Sequence, residues 1–303
     1  MKCYCLIVFL FGVMTLQGQQ DPQYTQYMYN MAVLNPAYAG SDEGISLGLL
    51  YRNQWTGFDG APETATLFGH SKLGGHLGLG LSLIADELGP VKETNLYADI
   101  AYQLKLDDTH HLGLGFKVGA TFHDIGLNNL TVFDPNDPFF SENVNSTTPN
   151  LGAGAFLYSD SYYLGVSIPN LLESVHLNAN GSQLGTERQH LFITGGYVFE
   201  LTKTLKLKPS FLVKSAFNAS TSFDINLNAL FYEKLELGAS YRYDDSVSAL
   251  VNFAITIDLK IGYAYDAITS RLRPFAPSSH EIFVTYRFLT KPKDRRIKSP
   301  RFF

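Results

Sequence analysis

Residues 76–83 read His76-Leu77-Gly78-Leu79-Gly80-Leu81-Ser82-Leu83. Every second residue is Leu, and those between are small or polar. A strand turns successive side chains to opposite faces, so this segment has one apolar face and one glycine or polar face. The pattern returns in His111-Leu112-Gly113-Leu114-Gly115-Phe116-Lys117-Val118-Gly119, in Phe223-Asp224-Ile225-Asn226-Leu227-Asn228-Ala229 and in Leu259-Lys260-Ile261-Gly262-Tyr263-Ala264-Tyr265-Asp266. Fourteen such segments lie along the chain. They cover about 45–52, 63–71, 76–85, 92–104, 110–122, 150–158, 161–168, 190–200, 204–217, 221–231, 234–243, 247–257, 258–266 and 280–289. Many are about ten residues long, the length of a tilted transmembrane strand.

The connections alternate. Residues 53–62, 86–91, 123–149, 169–189 and 267–279 are long or turn-rich. Ser159-Asp160, Leu201-Thr202-Lys203 and Glu233 are tight links at the other end. Asn218-Ala219-Ser220 and Asp244-Asp245-Ser246 are short links on the long side. An even number of strands with short turns at one end and long loops at the other is the plan of a transmembrane antiparallel β-barrel. The expected fold is therefore all-β, with about fourteen strands, short periplasmic turns and longer extracellular loops. A soluble sandwich would carry Lys, Glu and Thr on its outward face. Here the polar face is rich in Gly, Ser and Asn, which suits a wet or plugged lumen. The other face is continuous Leu, Ile, Val, Phe and Tyr, which suits lipid. Tyr51, Tyr158, Tyr162, Tyr197, Tyr241, Tyr243 and Tyr265 fall near strand ends, where aromatic girdles sit.

Composition agrees. The 303 residues include 22 Phe, 18 Tyr and 26 Gly, and only 17% are charged. That excludes a disordered chain. The formal net charge of −5 argues against nucleic-acid binding. Both cysteines, Cys3 and Cys5, precede the apolar run Leu6–Met14. Lys2, that run and Thr15-Leu16-Gln17-Gly18 describe a secretory signal peptide over 1–18, too short to span a bilayer as a helix. Cleavage after Gly18 leaves no cysteine and 22 basic against 28 acidic residues, a net charge of −6. The mature chain then divides into a periplasmic N-terminal segment (19–44), a barrel (45–289) and a basic tail (290–303).

With apolar residues facing lipid, Arg52, Lys214, Asp224, Arg242, Asp266 and Glu281 point inward near the extracellular end. Lys260 and Arg287 lie nearer the periplasm. Two readings of the first six stand: a salt-bridge lattice stiffening the wall, or a docking site for a polypeptide. The 53–62 loop carries the only Trp, Trp55, with Phe58 near it. It reads either as an exposed binding contact or as an aromatic folded into the mouth. Loops 123–149 and 169–189 are the longest and offer a second binding surface.

Catalytic patterns are scarce. The eight histidines form no metal-ligand spacing, and His110-His111 sits at a tight turn. There is no nucleophile elbow, H-E-x-x-H pair or phosphate-binding glycine loop. Asp134-Pro135-Asn136-Asp137-Pro138 reads as turns. Asp86, His123 and Asp124 are the only rim residues that suit hydrolysis, and their spacing does not demand it. No catalytic residue, metal or cofactor is expected.

Residues 19–40, Gln-Gln-Asp-Pro-Gln-Tyr-Thr-Gln-Tyr-Met-Tyr-Asn-Met-Ala-Val-Leu-Asn-Pro-Ala-Tyr-Ala-Gly, resemble the opening of the PorP/SprF family, the type IX secretion system membrane proteins of Bacteroidetes. The likeness continues at Arg52-Asn53-Gln54-Trp55-Thr56-Gly57, Gly60-Ala61-Pro62-Glu63-Thr64, Gly165–Leu172, Leu207–Ser210, Gly262–Asp266 and Ser279–Ile282. It covers essentially the whole mature chain. The N-P-A-Y-A-G and Q-W-x-G…G-A-P blocks are specific. The resemblance implies an outer-membrane barrel that works with the type IX translocon. It also implies partners: a secreted, often adhesin-like surface protein bound through its C-terminal domain, other secretion components and, in some members, gliding motility. The alternatives are a diffusion porin and a rim-active enzyme. Residues 19–40 are too polar to span and too aromatic for a linker. We expect Tyr24, Tyr27, Tyr29, Asn35, Pro36 and Tyr38 to help plug the lumen. Lys291, Lys293, Arg295, Arg296, Lys298 and Arg301 make a basic periplasmic tail, read either as a solvated end or as a contact with peptidoglycan or a periplasmic subunit.

Overall fold

The structure is a computed structural model, and it describes residues 22–42, 44–130, 142–179, 182–187, 189–216 and 221–288. The side chains of residue 129 and of 174–187 are not part of that description. The signal segment 1–18, residues 19–21, the Asp134–Pro138 motif and the basic tail lie outside it.

Seventeen strands are described. They are β1 (Ile45–Asn53), β2 (Glu63–Gly74), β3 (Leu77–Leu88), β4 (Val91–Lys105), β5 (His111–Ile125), β6 (Val144–Tyr158), β7 (Tyr162–Ile168), β8 (Ser174–Ala179), β9 (Ser182–Glu187), β10 (His190–Tyr197), β11 (Phe199–Thr202), β12 (Leu205–Ala216), β13 (Ser222–Phe231), β14 (Leu235–Arg242), β15 (Ser246–Ala254), β16 (Leu259–Ile268) and β17 (Ser278–Phe288). β8 and β9 pair only with each other. β10 and β11 are one stave interrupted at Val198, both pairing with β12. The remaining order is β7-β6-β5-β4-β3-β2-β1-β17-β16-β15-β14-β13-β12-β10, and β10 bonds back to β7. Fourteen antiparallel staves thus close on themselves, and closure removes the edges an open sheet would expose.

The wall is inside-out relative to a soluble protein. On β3, Leu77, Leu79, Leu81 and Leu83 are exposed while Ser82 and Ile84 are buried. On β13, Ile225 and Leu227 face out while Asp224, Asn226 and Asn228 are buried. β5, β15, β16 and β17 repeat this with Phe116, Val118, Val251, Phe253, Tyr263, Tyr265, Ile282 and Val284 outside. A continuous apolar band of this extent exceeds the few hundred Å² a soluble monomer exposes, and it matches a hydrocarbon layer. Among the described residues no helix is long and apolar enough to cross a membrane.

Residues 22–42 lie inside the lumen. They bond to β1, β2, β4, β6, β7, β12, β13, β14, β16 and β17, and they pack on glycines of β3 and β5. Their local form is a 3-10 turn (Tyr27–Tyr29), a four-residue helix α1 (Met31–Leu34) and a second 3-10 turn (Pro36–Tyr38). Asn35 caps that last turn by accepting a hydrogen bond from the Ala37 N–H at 3.0 Å, with Pro36 at its first position. The apolar core sits between this segment and the wall. Tyr24, Tyr27, Met28, Met31, Leu34 and Tyr38 pack there against Phe68, Phe156, Tyr163, Phe192, Leu212 and Phe283.

Three details differ from the sequence expectation. β6 starts at Val144, not near residue 150, and pairs with β5 as far as Val144↔Ile125. The expected loop 169–189 contains the β8–β9 hairpin. The 86–91 link is a tight Gly89-Pro90 turn, because β3 runs to Leu88 and β4 starts at Val91. The single-residue link at Glu233 is a turn in which Tyr232 and Glu233 both have positive φ, the conformation a short hairpin connection requires.

Candidate functional site

The lumen carries two charged layers, one toward the long loops and one toward the tight turns. In the layer at the long-loop end, Arg52 on β1 stands directly opposite Glu281 on β17, and Asp224 on β13 opposite Arg242 on β14. Arg52 Nη1 lies 2.8 Å from Asp266 Oδ2 and 3.2 Å from Glu281 Oε2. Arg242 Nη2 lies 2.8 Å from Asp224 Oδ2, and its Nη1 lies 3.2 Å from Asp245. Opposite charges across neighbouring strands compensate one another's desolvation.

These groups also grip residues 23–26. Glu281 accepts the Thr25 N–H at 2.8 Å and the Gln26 N–H at 2.8 Å, one on each carboxylate oxygen. The Thr25 hydroxyl donates to Asp266 at 2.8 Å and accepts from Arg52 at 3.0 Å. Arg242 donates to the Tyr24 carbonyl at 3.1 Å and to Gln23 Oε1 at 3.2 Å. The structure therefore brings Arg52, Asp224, Arg242, Asp266 and Glu281 together around one stretch of chain. Lys214 lines the same small cavity as Asp224 and Arg242, with its Nζ 5.8 Å from the centre of the Phe192 ring. Trp55 is half-buried in the 54–62 loop, at φ 53°, and its backbone N–H donates to Ser279 Oγ at 3.0 Å. Phe58 in the same loop is 53% exposed.

The layer at the tight-turn end holds Tyr29. Its hydroxyl donates to Glu236 on β14, which also accepts from Asn228. Lys260 lies 3.6 Å from Glu236, and Lys208 and Lys260 lie 5.5 and 4.9 Å from the Tyr29 ring centre. Tyr29 stacks on Phe283 at 4.4 Å. Lys208 and Glu236 were not singled out from sequence. Their signal was parity alone: each is the polar residue between two Leu or apolar neighbours, and so points inward. On the opposite wall Lys117 pairs with Asp99 at 3.0 Å and sits over Tyr97.

On the staves β3 to β7, the segment from Asn35 to Gly40 lies directly on backbone. Gln103 donates to the Ala37 and Ala39 carbonyls at 3.0 and 2.7 Å. Asn35 donates to the Ala155 carbonyl at 3.0 Å, and Ser167 donates to the Leu34 carbonyl at 2.7 Å. A Cβ on Gly115 would lie 2.2 Å from the Ala37 nitrogen, and one on Gly78 would lie 2.2 Å from the Ala39 oxygen. Tyr38 packs edge-on to His70 and Phe156. The alternating glycines are thus the floor on which the segment rests.

Of the rim residues considered for hydrolysis, Asp86 and His123 fall in one cross-strand row, Thr64-Asp86-Glu93-His123. Asp86 accepts from the Thr64 hydroxyl at 2.5 Å. His123 lies 3.3 Å from Glu93 and 3.3 Å from Thr148. Asp124 faces outward. At the tight-turn end, Asp107 accepts the Thr109 and His110 N–H groups, each at 2.8 Å. Those backbone hydrogen bonds hold its carboxyl well below the usual carboxylate range. Among the described residues no cluster of three or more His, Cys, Asp or Glu could hold a metal.

Comparison with known proteins adds three findings. Residues 16–286 match the family described as type IX secretion system membrane protein PorP/SprF. No curated protein matches the chain. Among solved structures, the Ralstonia pickettii toluene transporter TbuX is similar, with a TM-score of 0.53, 12% identity and cover of 85% of this chain and 93% of that one. A Pseudomonas aeruginosa FadL homologue matches with a TM-score of 0.48, 12% identity and cover of 85% and 94%. At such identity the likeness to TbuX speaks for the barrel fold alone.

Proposed function

This chain belongs to the PorP/SprF family of type IX secretion system membrane proteins, and on that premise we propose that it binds a secreted, adhesin-like surface protein through that protein's C-terminal domain, and helps to secrete it or anchor it. It is an outer-membrane β-barrel. In the proposed orientation the termini and tight turns face the periplasm and the long loops face outward. The loop with Trp55 and Phe58 then makes the outer contact with the client, above the layer formed by Arg52, Lys214, Asp224, Arg242, Asp266 and Glu281. Other secretion components bind from the periplasmic side.

One observation carries this reading over a diffusion porin: residues 22–42 fill the lumen and bond to staves around the wall. A solute channel needs a continuous aqueous path. The reading is also non-enzymatic. Glu93, His123 and Thr148 have residue types used in hydrolysis, but His123 is only 3% exposed, with Nε2 3.3 Å from the Thr148 hydroxyl and Nδ1 3.3 Å from Glu93.

The test is a strain lacking this gene, with surface proteins identified by shaving and mass spectrometry. The expected result is loss of one or a few type IX clients from the surface, restored by the intact gene. An unchanged surface proteome with reduced uptake of small solutes would favour the porin.

A further inference from the structure

The wall holds residues 23–26 by both backbone and side chains. Glu281 takes two successive N–H groups, and Arg242 takes the carbonyl just before them. Among the side chains, the Thr25 hydroxyl bridges Arg52 and Asp266, Gln23 Oε1 accepts from Arg242, and the buried Tyr24 shares a hydrogen bond with the Thr66 hydroxyl. Such a clamp recognises a short segment that bends at a hydroxyl-bearing residue, and it does not require that segment to be this one. Among the described residues, 22–25 make no backbone hydrogen bond to another backbone group; the first such bond in the segment is Tyr29 N–H to the Gln26 carbonyl.

The second half of the plug differs. Residues 34–39 rest on Gly78, Gly113 and Gly115 at contact distances that leave no slack, and Gln103, Asn35 and Ser167 fasten their carbonyls or side chains. Residues 34–39 are thus fixed by close backbone packing, whereas residues 23–26 are held by the packed Tyr24 ring and a small number of polar bonds. Beside the clamp a cavity of about 20 Å³ is lined by Pro22, Tyr24, Phe192, Leu212 and Arg242 among others. That is room for about one water, so solvent can attack these bonds from the side.

We propose that Arg52, Asp224, Arg242, Asp266 and Glu281 form a peptide-binding site which residues 23–26 occupy in cis, and that a Thr- or Ser-bearing segment of a secreted polypeptide displaces them while residues 31–40 stay seated. This deepens the proposed function and rests on it for the source of the incoming segment, though not for the site itself. A tethered ligand competes at an effective concentration of order mM, so the cis segment excludes weak competitors until it is itself weakened or the incoming segment is held nearby.

The test uses the full chain in lipid nanodiscs and a fluorescent peptide with the sequence of residues 22–30. Thr25→Ala in the chain removes the hydroxyl bridge to two charged groups and leaves the glycine floor intact. The peptide is expected to bind this variant at least about tenfold more tightly than the unsubstituted chain. A peptide carrying Ala for its own Thr should bind about tenfold more weakly. Adding Glu281→Gln to the variant should abolish binding. Hydrogen exchange reports the cis segment separately: bound peptide should speed exchange at Gln26 and leave Ala37 and Ala39 protected. Equal peptide binding to both chains, or none to a Thr25→Ala chain that retains protection at Ala37, would overturn the proposal. Peptide binding without any secreted protein found on the barrel in cells would leave the site and remove its assigned source.

Discussion

Replacing Gly115 with Ala tests whether the plug depends on the glycine floor. The added Cβ would lie 2.2 Å from the Ala37 nitrogen and 2.3 Å from the Pro36 carbonyl carbon, whereas ordinary contact begins at 3.4 Å. All of these are backbone atoms, so the segment itself must lift by about 1.2 Å, the difference between 3.4 and 2.2 Å. The bonds from Gln103 to the Ala37 carbonyl, now 3.0 Å, and from Asn35 to the Ala155 carbonyl, now 3.0 Å, would open past hydrogen-bond range. Two to four neutral bonds at about 1 kcal/mol each give about 2–4 kcal/mol. That is about a 30- to 1000-fold shift in the ratio of unseated to seated plug. Gly80→Ala is the internal control, since its Cβ would sit 3.2 Å from the Asp99 side chain and 3.4 Å from Ala39 Cβ, an adjustment of a few tenths of an ångström. The assay is conductance in planar bilayers together with hydrogen exchange over residues 31–40. Gly115→Ala should open the lumen and lose protection there, and Gly80→Ala should do neither. A Gly115→Ala barrel with the same conductance and the same protection as the unsubstituted chain would refute the reasoning.

Three further outcomes follow from the same geometry. Arg242→Ala leaves Asp224 buried without its partner and should cost about 3–5 kcal/mol in a urea titration of the lipid-embedded barrel, while the Arg242→Ala/Asp224→Ala pair should recover much of that. Leu81, 64% exposed and mid-strand, should tolerate Arg poorly in lipid, by about 2–4 kcal/mol, whereas Arg at Ile45 near the rim should cost about 0–1 kcal/mol. Because Asp107 is held low by the Thr109 and His110 amides, the stability it lends the β4–β5 turn is present above the ordinary carboxylate pKa and is lost only as pH falls through its own lower value; amide exchange at Thr109 and His110 should stay slow at mildly acidic pH, and Asp107→Asn should speed it at neutral pH.

Much of the barrel was legible because a half-buried strand writes its geometry at period two. Leu77 to Leu83 and Phe223 to Ala229 assign inside and outside without any tertiary information. The same parity placed Arg52, Asp224, Arg242, Asp266 and Glu281 inside. Sequence left open whether these charges form a wall lattice or a docking site. In the structure they pair across the wall and also hold residues 23–26, because Arg52 meets Glu281 only when β1 closes on β17, a contact between residues 229 positions apart. The start of β6 was missed because Asn145-Ser146-Thr147-Thr148-Pro149 carries turn-forming residues and a proline, which strands tolerate only where a ladder bond is dispensable. The Lys208-Glu236-Lys260 layer was missed because each residue stands alone in its own strand, and only the register of β12 to β16 gathers them. The glycines were read as lumen-facing pleat residues. What they make room for, the backbone of Asn35 to Gly40, belongs to a segment far away in sequence, and no local pattern announces it.

The most direct test of the central claim is gentle extraction of the tagged protein from native outer membranes, followed by mass spectrometry of what remains bound. The account predicts a near-stoichiometric secreted surface protein that is lost when its C-terminal domain is deleted, together with type IX secretion components. A barrel that comes out alone and conducts small ions with residues 22–42 intact would contradict it.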